Sequence, residues 1–224
     1  MKKMDIKGVI FDLDGVLVDT ARFHYLAWRK LANQLGFDFS EIENEALKGV
    51  SRKASLEYLL KLGGLEKNDE EKSELASLKN DWYISLISNL DESVLLPGVM
   101  PLIKALKEEG FALALGSASK NAMPVLESTG LIHYLDYIAD GNSTEKSKPD
   151  PEVFYIAARG IGLSPGECLV VEDSEKGIAA AVEGGFHSLG IGDQEVLGEA
   201  DFVLASLENI TVSELMEKFT VNNI

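Results

Sequence analysis

Residues 8–15 read Gly-Val-Ile-Phe-Asp-Leu-Asp-Gly, a short apolar run that leads directly into two aspartates and a glycine. An apolar, β-rich run of this length is typical of a strand buried on both faces of a parallel sheet. Ligands collect at the carboxyl ends of such strands. The stretch therefore predicts an α/β fold with Asp12 and Asp14 at the ligand-binding edge of its sheet.

Similar apolar runs recur further along the chain, and segments with helical periodicity separate them. The predicted strands are 111–116, 137–139, 168–171, 187–191 and 202–204, and the predicted helices are 100–109, 120–128, 152–161 and 174–184. Alternation of this kind predicts a Rossmann-like parallel sheet with helices on its faces.

The stretch from about residue 21 to about residue 90 interrupts this alternation. It has helical spacing and many charges but no convincing strand, and Pro97-Gly98 marks a turn back into the sheet. We predict an all-helical cap domain at 19–93, inserted into a catalytic core domain formed by 1–18 and 94–224.

The composition limits the possible partners. The chain has 37 acidic and 21 basic side chains, a formal net charge of -16, which predicts no binding to nucleic acid or to anionic membranes. An anionic substrate would therefore need a local cluster of Lys and Arg. Cys168 is the only cysteine, so no disulfide forms within the chain. We expect a cytoplasmic protein and, because no coiled-coil heptad is present, a monomer.

Asp12 and Asp14 could divide the work of phosphoryl transfer. One carboxylate can attack phosphorus as a nucleophile while the other moves a proton. The alternative is a solvated turn, since Asp and Gly are common in turns. An EF-hand is excluded, because its glycine stands at loop position 6 rather than 4.

A second acidic pair, Glu172-Asp173, follows the apolar run that begins at Cys168. Carboxylates that converge on one crevice repel each other unless a hard cation lies between them, and oxygen ligands beside a phosphate favour Mg²⁺. The alternative is that Asp173 or Ser174 only caps the helix that follows.

Two further segments are suited to binding a phosphate. Ser117-Ala118-Ser119-Lys120-Asn121 follows a predicted strand and opens a helix, where hydroxyls, free amides and a lysine can surround an anion. Lys148 stands before a proline turn that would hold its side chain in one direction. The alternatives are that Ser119 is only an N-cap and that Lys148 is a surface residue.

The order of these motifs resembles the haloacid dehalogenase superfamily, whose phosphotransferases use the first Asp as nucleophile. Within it, residues 47–52 (Leu-Lys-Gly-Val-Ser-Arg) and 117–121 are similar to the β-phosphoglucomutase family. The resemblance spans nearly the whole chain. It implies that β-glucose 1-phosphate is converted to glucose 6-phosphate through β-glucose 1,6-bisphosphate, with Mg²⁺ as cofactor and a small-molecule sugar phosphate as the partner.

The resemblance also implies a role for each matching residue. These are Asp12 as nucleophile and Asp14 as general acid and base; Asp12, Asp14, Glu172 and Asp173 as Mg²⁺ ligands; Ser117, Ala118 and Lys148 for the transferring phosphate; Gly49, Val50, Ser51, Arg52, Ser119, Lys120, Asn121, Trp28 and Lys79 for the distal phosphate and the substrate; and Thr20 and His24 at the hinge of the cap.

Other interpretations stay open at this point. The same scaffold could be a sugar-phosphate phosphatase that uses water as the final acceptor, or a noncatalytic domain that kept the fold. Arg52 could be an exposed arginine paired with a nearby Glu, His24 an ordinary helix residue and Trp28 a core residue.

Overall fold

The computed structural model describes residues 6–220, and its centre is a parallel sheet of six strands. In chain order the strands are β1 (Gly8–Phe11), β2 (Ala112–Gly116), β3 (Tyr137–Ala139), β4 (Cys168–Glu172), β5 (His187–Ile191) and β6 (Phe202–Leu204). They lie in the order β3-β2-β1-β4-β5-β6. The predicted α/β class with a parallel sheet is confirmed.

Strand β1 lies in the middle of the sheet because its neighbours pair with it on both edges. Ile10 stands opposite Ala114 of β2 and Val170 of β4, and all of β1 is buried. A strand covered in this way must be apolar throughout, which explains why the first run lacks the alternation of a half-exposed strand.

Helices cover both faces of the sheet and form a separate group before β2. They are α1 (Ala21–Gln34), α2 (Glu41–Glu45), α3 (Arg52–Leu62), α4 (Asp69–Ile87), α5 (Val99–Glu108), α6 (Ala122–Ser128), α7 (Glu152–Gly160), α8 (Glu175–Glu183) and α9 (Val212–Thr220). Two apolar clusters fill the space between the sheet and these helices, one on each face.

Helices α1 to α4 build the inserted segment, and no strand interrupts them among the described residues. Trp28, Leu31 and Leu59 belong to an apolar cluster of the segment's own, apart from the two clusters of the sheet. A separate core is what an inserted domain needs in order to move as a body. The limits 19–93 for this domain stay a prediction.

Two helices differ from the expectation. Helix α6 begins at Ala122 rather than at residue 120, because Asn121 has non-helical angles (φ −113°, ψ 25°) and the loop before it is held by serine side chains. Helix α9 was not predicted, although Thr211 and Glu214 exchange the hydrogen bonds of a capping box at its start. That Thr-x-x-Glu spacing was visible in the sequence.

Across the described residues, no helix is long and apolar enough to span a membrane.

Candidate active site

The carboxyl ends of β1, β2 and β4 lie side by side, and the motifs that follow these strands converge there. One cavity between this edge of the sheet and the cap takes in most of the predicted site residues. They are Asp12, Asp14, His24, Trp28, Gly49, Val50, Arg52, Lys79, Ser117, Ala118, Ser119, Lys120, Asn121 and Asp173. Thr20, Ser51, Lys148 and Glu172 are not part of this lining.

Lys148 is buried between two carboxylates at the base of the cavity. Its Nζ lies 2.6 Å from Asp12 Oδ1 and 2.5 Å from Glu172 Oε1. Burial alone would lower the pKa of Lys148, but the charges of Asp12 and Glu172 outweigh it and raise the pKa. Lys148 is therefore a cation that holds the Asp12 carboxylate, and the surface alternative is wrong.

The electrostatic setting of Asp12 favours a cation beside it. Burial, together with the charges of Glu172 and Asp14, raises the pKa of Asp12 to about 7 although Lys148 acts in the opposite direction. Asp173 is buried beside it, and burial followed by Glu172 and Asp12 raises its pKa well above the ordinary value. A hard cation would relieve the repulsion between Asp12 and Asp173.

Both oxygens of the Glu172 carboxylate accept hydrogen bonds. Oε1 accepts from Lys148, and Oε2 accepts from both the main-chain N–H and the hydroxyl of Ser174. Within residues 6–220, no group of three His, Cys, Asp or Glu side chains forms a ready-made metal cage. Direct binding of Mg²⁺ by Glu172 stays a prediction.

Ser174, not Asp173, caps the helix that follows. Its hydroxyl accepts a hydrogen bond from the Gly177 N–H at the start of α8. The side chain of Asp173 is consequently free to line the cavity. It lies close to the turn at Gly15, whose φ of 86° favours glycine.

Asp14 lies in the turn after β1 and is held by a residue at the start of the cap. The hydroxyl of Thr20, which is buried at the N-cap position of α1, donates to Asp14 Oδ1. Burial raises the pKa of Asp14, against the opposing effect of the Thr20 hydrogen bond. A carboxyl group with a raised pKa at this edge of the sheet is suited to proton transfer.

His24 and Lys79 form a pair beside Asp14. Lys79 Nζ lies 2.9 Å from His24 Nδ1, and His24 Nε2 lies 3.8 Å from Asp14 Oδ1. Burial, followed by Lys79 and then Arg52, holds the pKa of His24 well below its usual range, so the ring is neutral. Burial, followed by Arg52, lowers the pKa of Lys79 to about 7. His24 therefore contacts Lys79 and lies close to Asp14, and its hinge role stays a prediction.

The predicted cationic cluster lines the same cavity. Arg52, at the start of α3, lines the cavity together with Lys120 and Asn121, and it makes no ion pair with any described residue. The alternative of an exposed arginine paired with a Glu is wrong. The Asn121 amide donates to Asn80 Oδ1 of the cap, at 2.8 Å.

Trp28 combines a core position with a cavity position. It is almost fully buried in the cluster of the cap, and the ammonium of Lys79 lies 4.6 Å from its ring centroid. The side chain is therefore both a core residue and part of the cavity wall.

The cap segment 46–49 rests directly on the loop that carries Asp173. Lys176 donates to the Ala46 carbonyl at 2.9 Å, and Lys48 Nζ lies 3.8 Å from Asp173 Oδ2. The cavity beneath measures about 90 Å³, whereas small-molecule pockets usually measure roughly 300–1,000 Å³. A ligand of the usual size would therefore need the cap to move away before it could enter.

Three polar residues of the cavity wall, Asn44, Lys48 and Ser55, were not predicted as site residues. Lys48 stands inside the quoted run 47–52, so the sequence carried a signal for it. Asn44 and Ser55 stand in helical segments without any distinctive spacing, and only the folding of the cap places them here.

The chain was compared with known proteins. A family model described as haloacid dehalogenase-like hydrolase matches residues 6–185. The chain belongs to this family. Within the haloacid dehalogenase-like hydrolases it is 40% identical to β-phosphoglucomutase of Bacillus subtilis over 96% of both chains. It is also 29% identical to hexitol phosphatase A of Escherichia coli over 94% of this chain and 96% of that protein.

A solved structure of the same family agrees with the sequence comparison. The crystal structure of β-phosphoglucomutase from Clostridium difficile superposes with a TM-score of 0.92 at 39% identity, and covers 96% of this chain and 97% of that one. The inserted helical cap is therefore shared with a solved member of the haloacid dehalogenase-like hydrolase family.

Proposed function

We propose that the chain is a β-phosphoglucomutase, which interconverts β-glucose 1-phosphate and glucose 6-phosphate through β-glucose 1,6-bisphosphate. The observation that carries the proposal is that the Asp12 cavity has more than one cationic group: Lys148 is bonded to Asp12, and Arg52 and Lys120 line the same cavity as Asp12. A mutase must hold a second phosphate while the first reacts, and a phosphatase has no such need.

The reaction begins with phosphorylated Asp12 and bound β-glucose 1-phosphate. The 6-hydroxyl oxygen of the sugar attacks phosphorus, the bond from phosphorus to the Asp12 oxygen breaks, and Asp14 takes the hydroxyl proton. The product is the 1,6-bisphosphate, with Asp12 restored as a carboxylate. During this step Arg52 and Lys120 hold the phosphate on C1.

The bisphosphate then binds in the opposite orientation, and the same residues work in reverse. Asp12 attacks the phosphorus on C1, the bond from phosphorus to the C1 oxygen breaks, and Asp14 gives its proton to that oxygen. Glucose 6-phosphate leaves and phosphorylated Asp12 is regenerated. One carboxyl group acts as base and then as acid, which suits the raised pKa of Asp14.

Mg²⁺ fits the site by the chemistry of its donors. The carboxylates of Asp12, Glu172 and Asp173 and the main-chain carbonyl of Asp14 would hold it, and Glu172 also accepts a hydrogen bond from Lys148. When bound, the ion would offset the negative charge of the phosphate and of the carboxylates around it.

Exclusion of water is the second requirement of a mutase. The phospho-aspartate must survive until a sugar hydroxyl reaches it, and the small cavity under the cap leaves little room for water. Because Arg52 belongs to the cap, a phosphate bound to it would favour closure, so the reactive state forms when the sugar is present.

A sugar-phosphate phosphatase is the second candidate, and the identity with hexitol phosphatase A is what favours it. It would use Asp12 and Asp14 in the same way, with water as the final acceptor. A cytoplasmic location and a monomeric state stay predictions for either function.

One reaction separates the two candidates. β-Glucose 1-phosphate is incubated with the enzyme, Mg²⁺ and a trace of glucose 1,6-bisphosphate, and both glucose 6-phosphate and free phosphate are followed. The proposal expects rapid formation of glucose 6-phosphate with little free phosphate. Free phosphate without isomerisation would replace the mutase by the phosphatase.

A further inference from the structure

Asn80 is a residue of the cap that the proposed function does not use. It lies in the interior of α4 and is partly buried. Asparagine is less favourable than alanine in the interior of a helix, because its short amide competes for backbone hydrogen bonds. The stability of the helix therefore does not explain an asparagine at this position, and the contacts of its side chain have to.

The side chain of Asn80 reaches from the cap to the core. Its Oδ1 accepts a hydrogen bond from Nδ2 of Asn121, at 2.8 Å, although the two residues are 41 positions apart in the chain. The preceding residue, Lys79, is buried and lines the cavity under the cap, so this turn of α4 lies against the candidate active site. Asn80 is not among the described residues that line the cavity. It therefore acts on a ligand there through Asn121 rather than by direct contact.

The backbone of Asn121 is held in place, but the backbone does not fix the orientation of the side-chain amide. The main-chain N–H donates to the Ser119 hydroxyl at 3.2 Å, just before α6 begins. The torsion that turns an asparagine amide is broad and roughly two-fold, so the side chain can present either its nitrogen or its oxygen. A single orientation has to come from a hydrogen-bond partner, and Asn80 is that partner.

The orientation of Asn121 decides whether its side chain attracts or repels a phosphate. Asn121 lines the cavity together with Arg52 and Lys120. Phosphate oxygens accept hydrogen bonds, so they need the amide nitrogen, which carries two N–H donors, and not the amide oxygen, which only accepts. Because Asn80 Oδ1 is also an acceptor, it pairs with the nitrogen of Asn121. One N–H is used in that bond, and the second N–H of the same nitrogen remains for a ligand.

We propose that Asn80 is a positioning residue for the distal phosphate: its side-chain oxygen fixes the amide of Asn121 so that the nitrogen binds that phosphate. This inference rests on the proposed function, which assigns Asn121 to the second phosphate of the sugar bisphosphate. The reacting phosphate lies at Asp12, and Asn80 has no contact with that residue. The effect of Asn80 is therefore confined to ligands that place a phosphate in the distal position.

Asn80→Ala tests the proposal by ligand binding. The Kd for glucose 1,6-bisphosphate is measured by calorimetry in an Asp12→Asn background, which lacks the nucleophile and so does not consume the ligand. Loss of the orienting hydrogen bond should weaken binding about fivefold, the effect of one hydrogen bond. Asn33→Ala is the matched control, since Asn33 is an exposed asparagine of another cap helix, and it should leave the Kd unchanged.

Variants of Asn121 show whether Asn80 acts through it. In an Asn121→Ala background, Asn80→Ala should cause no further loss of affinity for the bisphosphate, because the amide that it orients is absent. The Tm of Asn80→Ala should stay near that of wild type, since the higher helix propensity of alanine offsets the lost hydrogen bond. Additive losses of affinity would overturn the proposal, and so would an Asn80→Ala variant with wild-type affinity.

Steady-state kinetics separate this role from a general effect of Asn80 on closure of the cap. The distal phosphate does not react, so its contact with Asn121 is equally strong before and during the chemical step. Asn80→Ala should therefore raise KM for isomerisation about fivefold and leave kcat unchanged. Hydrolysis of a small aryl phosphate, whose one phosphate has to lie at Asp12, should keep its wild-type rate. An equal loss in both reactions would overturn the inference.

Failure of this inference and failure of the proposed function give different results. If wild type hydrolyses sugar phosphates but does not isomerise them, the proposed function fails, while the binding of glucose 1,6-bisphosphate still tests Asn80. If isomerisation is found and Asn80→Ala changes neither the Kd nor the KM, only the present inference fails.

Discussion

The single residue that connects most of the site is Lys148. It forms ion pairs with both Asp12 and Glu172, and Glu172 in turn accepts a hydrogen bond from Ser174 at the start of α8. Removing one partner of a buried charge pair is far more damaging than removing an exposed one. The Asp12 carboxylate is therefore oriented by a network that reaches the next strand and helix.

Asp12→Asn tests the nucleophile. The amide has the same shape but cannot attack phosphorus, so phosphoryl transfer should fall by roughly a thousandfold or more. The fold should stay intact, because Glu172 still neutralises Lys148. Transfer rates and phosphorylation of the protein measure the first effect, and thermal unfolding measures the second. A variant that retains activity would refute the assignment of Asp12.

Arg52→Ala tests the second phosphate position. A charge-assisted hydrogen bond of about 1.5–3 kcal/mol would be lost, which corresponds to a fall of roughly 10- to 150-fold in bisphosphate-dependent isomerisation. Hydrolysis of a small aryl phosphate, which has no second phosphate, should change little. Lys53→Ala removes the neighbouring exposed charge and serves as the control. Equal damage to isomerisation and hydrolysis in Arg52→Ala would contradict the assignment.

At the scale of elements, the important contact is that of the cap segment 46–49 with the start of α8. Lys176 binds the Ala46 carbonyl, and the backbone of Gly49 passes so close to Ser174 that an added Cβ would lie 2.6 Å from its hydroxyl oxygen. Gly49 also has a φ of 67°. Gly49 therefore lies at the contact between the cap and the loop that carries Asp173 and Ser174, where there is no room for a side chain.

Gly49→Ala should keep the cap from seating, and Gly64→Ala is its matched control. Both glycines lie in the cap with nearly the same positive φ, 67° and 64°, but a Cβ at Gly64 meets no atom within 4 Å. Both variants should lose roughly 1–2 kcal/mol of stability. Only Gly49→Ala should also lower the rate of phosphoryl transfer, by about a hundredfold. A displacement of the cap by about 1 Å would be enough to cause a fall of this size.

Denaturant unfolding and initial rates measure these two effects. Equal loss of transfer in both glycine variants would mean that backbone strain, and not the contact with Ser174, controls the activity.

At the scale of the whole molecule, the net charge is -16, but cationic side chains cluster around one cavity. The field of the protein attracts cations and repels anions, yet Arg52, Lys120 and Lys148 collect around one cavity and its base. Asp12 and Asp173, both with raised pKa, lie in the same place. Folding therefore brings the carboxylates of Asp12 and Asp173 close together, and a bound cation would reduce the repulsion between them.

Mg²⁺ should therefore stabilise the folded protein. At a concentration about 100 times its Kd, binding adds about 2.7 kcal/mol, which raises Tm by roughly 5–10 °C for a chain of this size. Asp173→Asn should reduce the shift strongly, whereas Asp193→Asn, which removes an exposed carboxylate, should not. Calorimetry with KCl at matched ionic strength is the measurement, and an equal shift in both variants would contradict the proposed ligands.

The sequence alone was sufficient for the fold class and for most of the cavity. Asp12 and Ser117 each follow a buried strand directly, and Asp173 follows the last residue of another, so knowing that the strands are parallel was enough to bring them together. Helix α9 could also have been predicted, because its capping box is a local signal.

Only the tertiary structure decided which groups each carboxylate contacts. Glu172 and Asp173 are neighbours in the chain, yet one is bonded to Lys148 and Ser174 while the other faces the cavity. Lys148 lies 136 residues from Asp12 along the chain, and no spacing links them. Spacing along the chain determines which residues follow a strand, but the direction of a buried side chain depends on partners from distant segments, which come together only on folding.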